Sequence, residues 1–183
     1  LVLLAIQAAR FDEAARIATT LVKLNPNNLY YQHLLGSALM AQRNFAAAEI
    51  LYNELLAKHP DSNDARRSLA RIYTETDRLP KAQNLYKDIL AKNPKDENAV
   101  VALAALSANT GDYGAAIQQL RRAQVLDPKS ALLSTFIMAN YMQMKDWAGA
   151  VAEGRKALVR FPNERDIHDN LGKSQVASGG LTG

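Results

Sequence analysis

The residues of this chain that could take part in catalysis or bind a metal are few. It has three histidines, His33, His59 and His168, scattered carboxylates and no cysteine. A helical metal or acid–base site needs a second ligand one turn away, as in the motif H-E-x-x-H. None of the histidines has such a partner at i+4. The sequence therefore predicts no catalytic, cofactor-binding or metal site, and an enzymatic activity is not expected within this chain.

Two arginines, Arg67 and Arg71, form a charged pair with helical spacing. Residues four apart lie on the same face of a helix, so both guanidinium groups could bind a carboxylate of a ligand through charge-assisted hydrogen bonds. Asp64 and Glu75 lie one turn away on either side and could pair with the arginines within the chain instead. The sequence leaves both alternatives open.

These residues belong to a repeated unit that the prolines mark. Five of the six prolines stand 34 residues apart. An unbroken period of this length is typical of stacked supersecondary units. With the recurring proline numbered as position 32, the chain divides into partial repeat 1 (1–28), repeat 2 (29–62), repeat 3 (63–96), repeat 4 (97–130), repeat 5 (131–164) and partial repeat 6 (165–183).

Other positions recur in the same register. Position 8 is mostly Gly or Ala, and position 20 is alanine at every occurrence: Ala14, Ala48, Ala82, Ala116 and Ala150. Two apolar runs with helical spacing, separated by a short polar stretch, predict two antiparallel helices in each repeat, the A helix and the B helix. Repeat 5 departs from the pattern, since Met138 stands at position 8 and Gly154 at position 24. These two changes should compensate in volume if the positions meet.

The recurring columns resemble the tetratricopeptide repeat, and the resemblance extends over the whole chain. It implies an all-α fold, a right-handed α-solenoid of antiparallel helix pairs with about 5.4 repeats and about 11 helices. In this family the A helices line a concave groove through positions 2, 5, 9, 12 and 13. Carried over by register, the candidate groove residues are Tyr30, His33, Ser37, Arg67, Arg71, Thr74, Asn98, Val101, Asn109, Leu132, Thr135 and Gln143.

The resemblance implies a protein–protein interaction scaffold, part of a larger protein, that binds an extended peptide or a partner helix in the groove. The alternative is a substrate-selecting or regulatory arm of an enzyme whose catalytic domain lies outside this chain. Asn98, Asn109 and Gln143 could hold a peptide backbone, or could simply solvate their helices. The Lys and Asn of the family's chaperone-binding clamp are absent from positions 5 and 9, which disfavours a chaperone C terminus as ligand.

Charge and hydropathy restrict the partners further. The net charge is +4 and evenly spread, which disfavours nucleic acid, and no apolar stretch is long enough to cross a bilayer. The exposed apolar face of residues 1–8 is expected to fray or to bury itself against a second copy. The alanine-rich repeats closed by Asn-Pro are similar to those of bacterial lipoproteins from exopolysaccharide and PEP-CTERM systems, which favours the periplasm or cell envelope without excluding the cytoplasm.

Overall fold

The computed structural model describes residues 1–179, and these residues form eleven α-helices and no strand. The all-α class with paired helices is thereby confirmed. The helices are α1 (Val2–Gln7), α2 (Phe11–Leu24), α3 (Leu29–Ala41), α4 (Phe45–Lys58), α5 (Asn63–Glu75), α6 (Leu79–Lys92), α7 (Glu97–Asn109), α8 (Tyr113–Leu126), α9 (Ala131–Gln143), α10 (Trp147–Arg160) and α11 (Arg165–Ala177). From α3 onward, A helices of 13 residues alternate with B helices of 14 residues.

Capping side chains fix where most A helices begin. The side-chain oxygen of the residue before the helix accepts a hydrogen bond from a backbone N–H in the first turn, which satisfies a donor that the helix itself cannot pair. Asn28, Ser62, Asp96 and Ser130 act in this way at α3, α5, α7 and α9. Glu164 stands at the same place before α11 and makes no such bond.

The recurring prolines lie two residues beyond the last residue of each B helix, as their role as helix stops predicts. Their carbonyl oxygens have a further use. Gln32 and Arg66 donate side-chain hydrogen bonds to the carbonyl oxygens of Pro26 and Pro60, and the His168 Nε2 lies 2.7 Å from that of Pro162. In three of the repeats, the side chain at position 4 of the following A helix therefore contacts a backbone carbonyl of the turn before it.

Each A helix ends with the same left-handed backbone conformation. Position 15 has a positive φ, between 56° and 83°, at Ala9, Arg43, Asp77, Gly111, Lys145 and Gly179. In repeats 1 to 5 the next backbone N–H bonds back to a carbonyl of the last helical turn, as from Asn44 to Leu39 at 2.9 Å. This is the Schellman ending of a helix, in which the left-handed residue is most often glycine.

The chain divides into two compact units, Leu1–Leu85 (unit 1) and a second that begins at Tyr86 (unit 2). In unit 1 a core of Val2, Ala5, Ala14, Ala18, Leu34 and Ala38 lies between α1, α2 and α3. In unit 2 a core built on Val100, Ala104, Ala116, Leu120 and Ile137 joins α7, α8 and α9. The alanine at position 20 is completely buried in every repeat, because a larger side chain there would separate the paired helices.

The residues at positions 8 and 24 of a repeat lie against each other, and a small residue at one position is paired with a large side chain at the other. In repeat 2, a Cβ on Gly36 would collide with the phenol of Tyr52. In repeat 5 the sizes are reversed, and a Cβ on Gly154 would lie 2.7 Å from the terminal methyl carbon of Met138. The compensation predicted for repeat 5 is confirmed.

Candidate functional site

The A helices of unit 1 border a cavity of about 500 Å³, called here the unit 1 cavity. Its walls come from three successive A helices, α1, α3 and α5, from the turn that follows α3, and from Phe45 at the start of α4. The lining residues are Leu3, Ile6, Ser37, Met40, Ala41, Arg43, Phe45, Ser68, Arg71 and Glu75. The volume lies in the usual range for a ligand pocket, and the lining combines apolar walls with hydroxyl, guanidinium and carboxylate groups.

A buried tyrosine supports the polar part of this cavity. Tyr52 is on α4, is 1% exposed, and hydrogen-bonds with the hydroxyl groups of Ser37 and Ser68. Its phenol can reach these A-helix residues because Gly36 has no side chain to obstruct it. Burial is the main cause that raises the pKa of Tyr52. The phenol therefore stays protonated at neutral pH and keeps a proton to donate.

His33 lies beside this tyrosine on α3. The two ring centroids are 5.8 Å apart. Burial lowers the pKa of His33 from its ordinary value of 6.5, while the Asp64 carboxylate acts in the opposite direction. His33 is therefore neutral at pH 7, and its ring packs against Tyr52 without introducing a charge next to the cavity.

The structure treats Arg67 and Arg71 differently. Arg67 forms an ion pair with Asp64 on the same helix, three residues before it. Arg71 is exposed and lines the unit 1 cavity, and within the described residues it makes no ion pair. The internal pairing is therefore observed at Arg67, and ligand binding by Arg71 stays a prediction.

In unit 2 a smaller cavity of about 190 Å³ lies between α7 and α9 and is called here the unit 2 cavity. Its lining residues are Ala104, Ala105, Ala108, Asn109, Phe136, Ala139, Asn140 and Gln143. Asn140 donates a hydrogen bond to the Phe136 carbonyl oxygen at 2.8 Å, while its own buried Oδ1 has no partner among the described residues. The small side chains make a trough whose polar groups are amides, with no charged residue in its lining.

The candidate groove residues of the sequence fall into four sets. Ser37 and Arg71 line the unit 1 cavity, and Asn109 and Gln143 line the unit 2 cavity. Tyr30 lines a separate apolar cavity of about 280 Å³ beside Leu1 and Tyr31. The others line none of these three cavities: His33, Arg67, Thr74, Asn98, Val101, Leu132 and Thr135. Two of them, Thr74 and Thr135, donate their hydroxyl protons to carbonyl oxygens of their own helices.

Sequence reasoning missed Ser68, which lines the unit 1 cavity, and Tyr52, the hydrogen-bond partner of Ser37 and Ser68. Tyr52 is at position 24 of a B helix and Ser68 is at position 6, and neither position was expected to face the groove. The signal available in the sequence was the pairing of a tyrosine at position 24 with a glycine at position 8. That pairing leaves space for a hydroxyl group between the A helices.

A buried carboxylate in unit 2 was also missed. Glu153 on α10 is 3% exposed, and its carboxylate lies 3.3 Å from Arg121 on α8 and accepts a hydrogen bond from Gln124. Tyr141 on α9 also contacts the Arg121 guanidinium, at 3.1 Å, and is the main cause that raises the pKa of this arginine. A buried carboxylate needs such partners, and here they join three helices.

Within residues 1–179, every helix is too short or too polar to span a bilayer. That same part of the chain contains no group of three or more His, Asp or Glu side chains placed to hold a metal ion.

Solved structures similar to this chain include two tetratricopeptide repeat proteins and MamA. A tetratricopeptide repeat protein from Parabacteroides merdae has a TM-score of 0.71 at 18% identity, over 98% of this chain and 71% of its own. A thermophilic TPR protein from Thermus thermophilus has a TM-score of 0.70 at 19% identity, over 96% of both chains. MamA has a TM-score of 0.66 at 20% identity, over 86% of this chain and 92% of its own. At these identities the likeness shows the fold alone.

The comparison with curated proteins found no match. The similarity to lipoproteins of exopolysaccharide and PEP-CTERM systems is not supported by any of these comparisons. Sequence models described as tetratricopeptide repeats match residues 1–63, 39–106 and 75–136. Repeats of this kind generally mediate protein–protein interaction and are typically non-catalytic. The matched segments extend over most of the chain, which therefore belongs to the tetratricopeptide repeat family.

Proposed function

We propose that this chain is a protein-interaction scaffold that binds an extended peptide or a partner helix on its A-helix face. The observation that carries the proposal is the unit 1 cavity, because three successive A helices contribute to it at positions 9, 12 and 13 of the repeat. Family membership supports a protein as the partner, and the position of the cavity favours the A-helix face over the B helices.

The composition of the cavity walls supports a peptide as the ligand. Apolar side chains such as Leu3, Ile6 and Met40 can pack against apolar residues of a peptide, while serine hydroxyls and Arg71 can satisfy its polar groups. Burial of apolar surface supplies most of the affinity of such contacts, and a few polar groups fix the orientation. The alanine-lined unit 2 cavity offers a second place where a peptide backbone could approach a helix closely.

The test uses random linear peptides displayed on phage and selected against the immobilised protein. Selected peptides are synthesised, and their affinity is measured by fluorescence anisotropy for the native protein and for Glu75→Trp. This change adds a large side chain at an exposed residue of the cavity wall. The matched control is Glu54→Trp, at an exposed residue of α4 that lines none of the cavities. We expect Glu75→Trp to weaken binding at least about tenfold and the control to leave it unchanged.

The unit 2 cavity is tested in the same way with Ala105→Arg, which places a long charged side chain at an exposed position of its wall. Peptide binding that resists both Glu75→Trp and Ala105→Arg would place the binding surface elsewhere. Circular dichroism of each variant confirms that the helices are retained, so that lost binding is not mistaken for lost fold.

We also infer that the apolar face of α1 takes part in self-association. Leu1, Leu3 and Leu4 are exposed there, Leu1 by 88%, while Val2 and Ala5 face the core. Covering an exposed apolar cluster of this kind with a second surface lowers the free energy of the system. Analytical ultracentrifugation should show concentration-dependent dimers that Leu4→Glu abolishes, and a native protein that remains monomeric at high concentration would contradict this inference.

A further inference from the structure

Arg71 is positioned to bind an anionic ligand. It is exposed, it lines the unit 1 cavity, and within residues 1–179 it has no carboxylate partner. It is also close enough to Tyr52 to stabilise negative charge on the phenol electrostatically. A guanidinium group beside hydroxyl groups is a donor set that suits oxyanions.

The hydroxyl groups around Arg71 come from two helices and a buried support. Ser37 on α3 and Ser68 on α5 line the cavity, and both hydrogen-bond with the Tyr52 phenol. Tyr52 is held in place by its burial against Gly36. The phenol has one proton, so it can donate to one of the two serines and leave that serine's own proton for a ligand. That donor is positioned before a ligand arrives, which reduces the entropy lost on binding.

A second arginine extends the positive side of the cavity. Arg43 is at the turn after α3, and its guanidinium carbon lies 5.3 Å from the centroid of the Phe45 ring. The lining thus contains two guanidinium groups and one carboxylate, that of Glu75, which leaves one positive charge to be neutralised. A ligand group with a single negative charge balances the cavity, whereas a phosphoryl group with close to two charges would leave an excess.

We propose that the unit 1 cavity binds the side-chain carboxylate of an aspartate or glutamate in an extended peptide, through Arg71 and the hydroxyl group of whichever serine, Ser37 or Ser68, accepts the Tyr52 proton. The apolar residue next to that acid packs on Leu3, Ile6 and Met40. This inference rests on the proposed function, since it assumes a peptide on the A-helix face. A chain that runs past the cavity presents its side chains to it, which is why we assign the carboxylate to a side chain and not to a chain end.

The experiment begins with the phage selection described above. A selected peptide is synthesised in two forms, one with its acidic residue and one with the isosteric amide, Glu to Gln or Asp to Asn. Both forms are titrated against the native protein and Arg71→Gln, which removes the charge and keeps most of the side-chain volume. Tyr52→Phe removes only the supporting hydroxyl group. Arg16→Gln, at an exposed arginine of α2 outside the cavities, is the matched control.

The expected result has three parts. Acidic residues followed by apolar ones are enriched among the selected peptides. Arg71→Gln lowers the affinity for the acidic peptide by about ten- to a hundredfold, as expected for a hydrogen bond between charged groups. The amide form of the peptide binds the native protein with an affinity lower by a similar factor. Its affinity for the Arg71→Gln protein is no lower than for the native protein. Tyr52→Phe produces a smaller loss, and Arg16→Gln none.

Several outcomes would overturn the assignment. If Arg71→Gln and the amide change in the peptide each lowered the affinity independently of the other, the guanidinium group and the peptide carboxylate would not be in contact. Loss of binding when the peptide C terminus is amidated would assign the carboxylate to the chain end. Tighter binding of a phosphoserine peptide than of the glutamate peptide would refute the single-charge argument.

The failure of this inference is distinguishable from failure of the proposed function. Peptide binding that Glu75→Trp blocks but Arg71→Gln does not affect would retain the groove and reject the carboxylate. Peptide binding that no cavity variant affects, or a selection that yields no binding peptide, would reject both.

Discussion

The contact between Met138 and Gly154 allows a direct test of the packing in repeat 5. Met138 is completely buried, and its terminal methyl group occupies the space that a side chain at position 154 would need. Truncating the methionine to alanine should empty that space. Adding a methyl group at position 154 should then refill part of it. The perturbation is therefore a double-mutant cycle with Met138→Ala and Gly154→Ala.

The expected effect of Gly154→Ala on the free energy of unfolding differs between the two backgrounds. Met138→Ala alone should cost about 2 to 5 kcal/mol. In the native protein, Gly154→Ala gains about 1 kcal/mol of helix propensity but loses about 1 to 3 kcal/mol to overpacking, so it should be neutral or destabilising. In the Met138→Ala protein the contact with the methionine disappears and only the Leu171 Cδ1 remains close, at 3.3 Å. A buried methyl group there adds about 0.8 kcal/mol. Gly154→Ala should then stabilise by about 2 kcal/mol.

Urea denaturation followed by circular dichroism measures each corner of the cycle. The matched control is Gly172→Ala in the middle of α11, where an added Cβ meets nothing within 4 Å. It should stabilise the native protein and the Met138→Ala protein equally, by about 1 kcal/mol. A Gly154→Ala change that stabilises both backgrounds equally would refute the reasoning, because it would mean that the methionine yields its space without cost.

Three further predictions concern the turns, the buried carboxylate and the histidine. Lys145→Gly should stabilise the protein by about 1 kcal/mol and Gly111→Ala destabilise it similarly, since both residues have a positive φ that disfavours a side chain; thermal unfolding measures both, and equal melting temperatures would contradict this. Arg121→Met should cost about 3 to 5 kcal/mol in urea denaturation because the buried Glu153 loses its cation, and adding Glu153→Gln should recover most of that loss. Because the folded-state pKa of His33 is below 6.5, the folded protein binds fewer protons there, so the free energy of unfolding should fall as pH drops through 6.5; a His33→Gln protein with the same pH dependence would refute this.

The sequence predicted the helices and the stops between them because these depend on neighbouring residues. Caps, prolines and turns act within about one helical turn of their own position, so a period of 34 residues in composition becomes the same period in structure. The left-handed residue at position 15 is also local, yet it was not predicted, because only Gly111 and Gly179 carry the glycine that usually marks it.

The candidate site was predicted only in part, because it depends on contacts between helices. Register placed Ser37 and Arg71 on the A-helix face, and both line the unit 1 cavity. Register could not indicate that Arg67 is neutralised by Asp64 while Arg71 has no such partner within the described residues. Both pairings satisfy the same helical spacing, and the choice depends on side-chain rotamers and on what lies next to each guanidinium group.

By itself the sequence determined the repeat, its period and the faces of its helices, since these follow from the order of residues along one helix. Only the tertiary structure decided which side chains meet across helices. Tyr52 reaches Ser68 through the space left by Gly36, and Glu153 on α10 meets Arg121 on α8. Such contacts depend on the distance between helix axes and on the volume of every side chain between them, and a periodic pattern specifies neither of these.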